Sequence, residues 1–181
     1  PFEVGKPIKT ASLFYGRDDI FEFISQNLAS SAQSRTLVLH GQRRTGKTSI
    51  LYQVLGGRLG TGFIPVLVDM QELALSINST ADLFIEFTEK TCRAMQRAGV
   101  EMARPDETAF EKSPARAFNR FLDELEEQLH GKKMLLMIDE FEILEEKINQ
   151  KKLEADVLSY VRSMIQHRDY LAFLFTGTHK L

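Results

Sequence analysis

The sequence lacks several features that would assign a protein to a class directly. Its 181 residues include one cysteine, Cys92, which rules out an internal disulfide and favours a reducing, cytoplasmic location. No apolar run reaches the roughly 18 residues of a membrane helix. No signal peptide is visible, although a start at Pro1 instead of Met suggests a trimmed chain. With 23 Lys plus Arg against 25 Asp plus Glu, the net charge is −2, which gives no overall basic field for nucleic acid.

Other recurrent signals are missing as well. The sequence has no internal repeat, no low-complexity stretch and no cluster of His and Cys that would bind a metal. An Asn-Lys-x-Asp segment, which reads guanine, is also absent, and this disfavours a GTPase. The apolar share of 43% and the charged share of 27% are those of an ordinary soluble globular protein. The length suits one domain with a sizeable core, in which Cys92 is expected to be a packing residue.

What the chain does show is an alternation of strand and helix patterns, typical of a parallel sheet with helices on both faces. Strands are predicted at residues 36–40, 63–69, 133–139 and 170–176. Apolar residues at helical spacing predict helices at about 17–32, 46–55, 80–98, 114–130 and 153–165, with a short one after Phe141. Residues 1–13 and 99–112 are expected to be irregular. Pro65 has no N–H to donate, which places the second strand at a sheet edge.

The most specific signal follows the first predicted strand. Residues 41–48 have the spacing G-x-x-x-x-G-K-[ST] and lead into a predicted helix, the arrangement of a phosphate-binding loop. The glycines allow the backbone N–H groups to approach phosphate oxygens, and the helix N-terminus adds partial positive charge. Lys47 is predicted to neutralise the β- and γ-phosphates and Thr48 to bind Mg²⁺. The predicted nucleotide contacts in this loop are Gly41, Gln42, Arg43, Arg44, Thr45, Gly46, Lys47, Thr48 and Ser49.

The third strand supplies the predicted second half of the site, because it ends in two carboxylates, Asp139 and Glu140. Open parallel sheets bind ligands beyond the carboxyl ends of their strands. Asp139 should therefore hold Mg²⁺ together with Thr48, and Glu140 should orient or deprotonate the water that attacks the γ-phosphate. At the end of the fourth strand, Thr176 is the first candidate to reach that phosphate or water. Thr178 is the second candidate, and ordinary turn chemistry is the alternative. The acidic residues 123–127 and 142–146 are expected to be solvated helix faces.

These segments resemble the ATPase core of the STAND and AAA+ classes, particularly their origin-recognition-like and archaeal-type ATPase branches. The resemblance rests on Phe14-Tyr15-Gly16-Arg17 with Asp18-Asp19, on the phosphate loop and on the Asp139-Glu140 strand end. It implies a three-layer P-loop sandwich whose sheet has the strand order 2-3-4-1. It also implies that Tyr15, Gly16 and Arg17 lie beside the adenine and that Thr176 is the first sensor of the γ-phosphate. ATP hydrolysis would act as a conformational switch within a larger protein, often with self-association.

The resemblance also implies a fifth strand and a helical lid after the fourth strand, with an arginine that acts across subunits. The printed chain stops at Leu181, so we expect residues 1–181 to be a single ATPase core that is incomplete at its C-terminal end. Such a core would self-associate or bind partner domains through that further region and hydrolyse ATP slowly. Arg43, Arg44 and Arg168 are candidates to contact phosphate or a partner. Two alternatives remain open, which are a small-molecule kinase and a module that senses nucleotide without turnover.

Overall fold

The computed structural model describes residues 7–29 and 36–178. Within them, four parallel strands form one sheet in the order β1-β4-β3-β2, which confirms the predicted order 2-3-4-1 and the α/β class. The strands are β1 Thr36–His40, β2 Phe63–Asp69, β3 Lys133–Asp139 and β4 Leu171–Gly177. The first three have the predicted bounds, and β4 lies one residue later than predicted. Because β4 separates β1 from β3, the two halves of the predicted site come from strands that are not neighbours.

Eight α-helices are assigned in the described residues, and they cover the sheet. They are α1 Asp18–Ala29, α2 Lys47–Leu55, α3 Met70–Leu73, α4 Thr80–Arg97, α5 Glu107–Lys112, α6 Pro114–Gln128, α7 Glu142–Asn149 and α8 Val157–His167. A single turn of 3-10 helix, Ala11–Leu13, interrupts the predicted irregular N-terminal segment. Residues 1–6 of that segment and residues 30–32 of the first predicted helix lie outside the described residues.

Two short helices were not predicted. The expectation of an irregular segment over residues 99–112 is wrong at its end, because α5 forms there. The side chain of Asp106 accepts a hydrogen bond from the Thr108 amide and caps this helix, which buries Phe110. The other helix, α3, follows β2 directly, and the Asp69 carboxylate caps it. Neither helix is long enough to repeat an apolar stripe, so periodicity gives no signal for them.

The core lies on both faces of the sheet, and this explains why β3 and β4 are apolar along their whole length. On one face, Phe84 stacks on Phe118 with ring centroids 4.7 Å apart. On the other face, Leu135 and Leu174 pack against α1 and α2 through residues such as Leu28. Strand β2 lies at the sheet edge, as Pro65 indicates, and shows the alternating burial of an outer strand.

Cys92 is buried on α4 and packs in the larger of these two core clusters, as expected for a small apolar residue. Burial raises the pKa of its thiol, which disfavours the reactive thiolate. Within the described ranges, none of the helices combines the length and the apolar character that crossing a bilayer demands.

Candidate nucleotide-binding site

The loop between β1 and α2 has the compact shape that its glycines allow. Gly46 immediately precedes α2 and has a left-handed backbone with φ of 87°, which a residue with a side chain adopts only under strain. At Gly41 a Cβ atom would lie 3.0 Å from the Thr45 hydroxyl oxygen. That hydroxyl donates to the Gln42 carbonyl at 2.9 Å and closes the turn. The loop therefore depends on glycine at the two positions that the motif specifies.

Lys47, the first residue of α2, lies across this loop and is only 8% exposed. Its ammonium group donates to the carbonyl oxygens of Gly41 at 2.7 Å and Gln42 at 3.0 Å. The charge is thus held over the start of the loop, next to the N-terminus of α2. Both features favour an anion at the same place.

The end of β3 meets the start of α2. The Thr48 hydroxyl donates to Asp139 Oδ2 at 2.7 Å, and the Thr176 hydroxyl at the end of β4 donates to Asp139 Oδ1. Asp139 is 2% exposed and Thr176 is fully buried. The structure thus brings together three predicted site residues and presents several oxygen atoms, the ligand type that Mg²⁺ prefers. Thr176 points its hydroxyl at Asp139, and its predicted contact with the γ-phosphate or the attacking water stays a prediction.

Glu140 follows directly and has a left-handed backbone with φ of 54°, which is uncommon for a residue other than glycine. Its amide donates to Asp139 Oδ1 at 3.1 Å. Burial raises the pKa of its carboxyl, the neighbouring carboxyls of Glu142 and Asp139 raise it further, and Arg43 opposes the rise. A raised pKa brings a carboxylate closer to the strength that a general base needs near neutral pH.

Glu142 belongs to this site and was missed, since the sequence placed it on a solvated helix face. The structure corrects that expectation, because Glu142 Oε1 accepts hydrogen bonds from the Thr178 amide at 3.0 Å and the Thr178 hydroxyl at 2.7 Å. Burial opposes ionisation of Glu142, but these hydrogen bonds outweigh it and lower its pKa. Glu145 and Glu146 are exposed as predicted. Nothing in the sequence distinguishes Glu142 from the neighbouring acids Glu145 and Glu146.

The N-terminal box reaches the phosphate loop. The Arg17 guanidinium donates to the Thr45 carbonyl at 2.8 Å, and both Gly16 and Arg17 have left-handed backbones with φ of 75° and 62°. Tyr15 is 85% exposed, so its ring is free of the core. The predicted contact of this box with adenine stays a prediction, but the box does lie against the predicted phosphate site.

Ser49 and Arg168 have partners other than those the sequence suggested. The Ser49 hydroxyl, which was assigned to nucleotide, is buried and accepts a hydrogen bond from the Ile8 amide at 2.9 Å. Arg168 precedes β4 and therefore lies at the amino ends of the strands, whereas the phosphate loop lies at their carboxyl ends. There it donates to Asp123 at 2.7 Å and to the Tyr170 hydroxyl at 2.8 Å. A direct role for Arg168 on phosphate is thus wrong, while Arg43 and Arg44 remain on the exposed loop.

Comparison with known proteins adds solved structures of similar fold. They include the Walker-type ATPase PABY2304 of Pyrococcus abyssi, with a TM-score of 0.68, 19% identity and 96% of this chain covered. The ORC2 protein of Aeropyrum pernix, solved in ADPNP–ADP complexes, has a TM-score of 0.55 and 13% identity over 91% of this chain. PCH-2 of C. elegans has a TM-score of 0.53 and 17% identity over 96% of this chain. No family model and no curated protein sequence matches the chain.

The chain spans 48%, 42% and 40% of those three structures. At these identities, the likeness shows that the chain has the fold of P-loop nucleoside triphosphatases. The resemblance inferred from the sequence is thereby confirmed at the level of fold, with a Walker-type ATPase and an archaeal ORC protein among the similar structures.

Proposed function

We propose that this chain binds ATP with Mg²⁺ and hydrolyses it. The observation that carries the proposal is the 2.7 Å contact between the Thr48 hydroxyl and Asp139. It joins a phosphate loop to a buried carboxylate, the two parts from which such sites are built. The similar structures support the proposal, because they include a Walker-type ATPase and an ORC2 protein solved with ADPNP and ADP.

In the proposed complex, the backbone of residues 41–48 holds the phosphates, and Lys47 turns from the loop carbonyls to the β- and γ-phosphates. Arg43 and Arg44 add positive charge at the exposed rim. Thr48 and Asp139 fit Mg²⁺, because both present oxygen atoms in one place. The bound ion would neutralise charge on the phosphate oxygens. Tyr15, Gly16 and Arg17 would contact the adenine side of the nucleotide.

Glu140 is the proposed general base. It is partly buried beside Asp139, and the raised pKa of its carboxyl suits it to accept a proton from the attacking water. Attack by water is favoured over transfer to a small molecule because a second carboxylate lies at the strand end. On the resemblance alone, we also propose that hydrolysis acts as a switch of the STAND or AAA+ type, with self-association or partner domains in a larger protein.

Binding is tested by calorimetry with Mg-ATP on wild type and Lys47→Ala. Loss of one charge-assisted hydrogen bond should weaken binding by about 1.5–3 kcal/mol, roughly tenfold to a hundredfold. Lys132→Ala is the matched control, since Lys132 is an exposed lysine before β3, at the amino ends of the strands and away from the site. Equal affinities for wild type and Lys47→Ala would contradict the phosphate site.

Hydrolysis is tested by phosphate release without any added acceptor. Glu140→Gln should keep Mg-ATP binding and lower kcat by about a hundredfold or more, because general base catalysis contributes about that much. Glu145→Gln on the exposed face of α7 is the control. Equal and negligible release by wild type and Glu140→Gln would leave a nucleotide-sensing module as the function. Release only in the presence of an acceptor would indicate a kinase.

A further inference from the structure

The end of β4 is tied to the start of α7 through one side chain. Glu142 Oε1 accepts from both the amide and the hydroxyl of Thr178, at 3.0 Å and 2.7 Å. The Phe141 amide donates to the Thr176 carbonyl at 3.0 Å and makes a second link between the same two segments. The turn after β3, which carries Glu140, is therefore connected to the end of the neighbouring strand on both sides of Gly177.

Gly177 lies directly against this carboxylate. A Cβ atom at position 177 would lie 2.5 Å from Glu142 Oε2, far inside van der Waals contact. The backbone of Gly177 is not left-handed, so alanine would meet no conformational obstacle other than this carboxylate. The absence of a side chain at Gly177 thus lets the Glu142 carboxylate sit against the strand end.

Glu142 also lies close to the proposed base. It follows Glu140 by two residues, and its neighbouring carboxyl adds to the rise that burial causes in the pKa of Glu140. The residue that accepts hydrogen bonds from Thr178 at the end of β4 is thus next to Glu140 at the end of β3. Thr176, two residues before Thr178, donates to Asp139, so the two strand ends are linked at adjacent points.

We propose that Glu142 is a positioning residue that holds Glu140 and the Gly177–Thr178 strand end in one arrangement for hydrolysis. The inference rests on the proposed function and deepens it. Glu142 contacts neither the phosphate loop nor Lys47 in the hydrogen bonds of the described residues. Its loss should therefore lower the rate of hydrolysis while leaving nucleotide affinity nearly unchanged, because it acts on the orientation of the base.

Four variants test this role. Glu142→Ala removes the link, and Glu142→Gln keeps an oxygen that accepts from Thr178. Gly177→Ala pushes the carboxylate away from the strand end without changing Glu142. The double variant Gly177→Ala/Glu142→Ala closes a thermodynamic cycle. Glu146→Ala, on the exposed side of α7, is the matched control.

The first readout needs no nucleotide and is the hydrogen exchange of the Thr178 amide, followed by NMR on the 181-residue chain. Exchange should speed up about tenfold or more in Glu142→Ala and in Gly177→Ala, because the amide loses a charged acceptor. It should stay within threefold of wild type in Glu142→Gln and Glu146→Ala. An unchanged Thr178 amide in Glu142→Ala would overturn the link itself.

The second readout is steady-state hydrolysis together with calorimetric binding of Mg-ATP. Glu142→Ala and Gly177→Ala should lower kcat about tenfold with KM and Kd within threefold, and Glu142→Gln should retain most of the rate. Gly177→Ala should have no further effect once Glu142 is alanine. A rise in KM matching the fall in kcat, or full additivity in the double variant, would overturn the positioning role.

The two proposals fail in different ways. A wild-type chain that binds no Mg-ATP refutes the proposed function, and the positioning role with it, while the Thr178 exchange data still report whether the link exists. Normal binding and hydrolysis with no loss of kcat in Glu142→Ala refute the positioning role alone.

Discussion

Thr48 Oγ1 and Asp139 Oδ2 lie 2.7 Å apart although they are 91 positions apart in the sequence. Thr48 is on the helix after β1, and Asp139 ends β3, with β4 between the two strands. The contact is possible because the carboxyl ends of the parallel strands lie at the same end of the sheet, and the first turn of α2 reaches across it. The Thr48 hydroxyl thus links the loop at residues 41–48 to the acidic end of β3.

The first prediction concerns this hydroxyl. Thr48→Val keeps the shape of the side chain and removes the oxygen, so we expect the gain in ATP affinity that Mg²⁺ provides to fall by about tenfold or more. Thr48→Ser keeps the hydroxyl and should retain most of that gain. The measurement is ATP binding by calorimetry with Mg²⁺ and with a chelator. A valine variant that keeps the full difference between the two conditions would refute Thr48 as a metal ligand.

The second prediction concerns the left-handed backbone of Gly46. A Cβ atom there would have Arg17 as its nearest neighbour, at 3.8 Å, so Gly46→Ala tests backbone strain without a steric clash. We expect a loss of about 1–2 kcal/mol in the free energy of unfolding. Gly62→Ala is the matched control, because that glycine has open space around it and no positive φ, and there alanine should be neutral or slightly stabilising. Equal unfolding midpoints in urea for the two variants would contradict the strained loop.

The third prediction concerns Tyr170, which directly precedes β4 and lies at the amino ends of the strands, opposite to the site. Its hydroxyl donates to the Leu122 carbonyl at 2.7 Å and accepts from Arg168. Burial raises its pKa from 10.0 to about 12. Between these values the folded chain keeps a proton that the unfolded chain releases, so the free energy of unfolding falls as pH rises from about 10 to about 12.

Tyr170→Phe removes that titration together with the hydrogen bonds of the hydroxyl to Leu122 and Arg168. The variant should lose about 1–3 kcal/mol near neutral pH and show a shallower decline above pH 10. Part of the decline should remain, because burial also raises the pKa of Tyr160 to about 12. Urea unfolding at several pH values measures both effects. An identical alkaline slope in wild type and Tyr170→Phe would show that Tyr170 does not hold its proton in the folded state.

The sequence predicted the sheet well because each strand is a continuous apolar run between turn residues. It failed for α3 and α5, which are too short to repeat a stripe and are held by the Asp69 and Asp106 caps. Residues 41–48 and Asp139 could be brought together from topology alone, since both follow the carboxyl ends of parallel strands. The same topology places Arg168, which precedes β4, at the amino ends of the strands.

Glu142 could not be singled out from the sequence. Residues 142–146 contain several acids, and nothing in their order tells which one faces the end of β4. That depends on how α7 is rotated after the turn at Glu140, which has a left-handed backbone. The rotation of a helix about its axis depends on how it packs against its neighbours, and a single sequence does not determine that packing.

The crowding between Glu142 and Gly177 has an evolutionary consequence. A mutation that adds a side chain at 177 displaces the acid, and a mutation that shortens the acid leaves space at 177. In related chains, a side chain at position 177 should therefore be accompanied by a change at position 142. A shorter acid at 142 is the substitution that should accompany alanine or serine at 177.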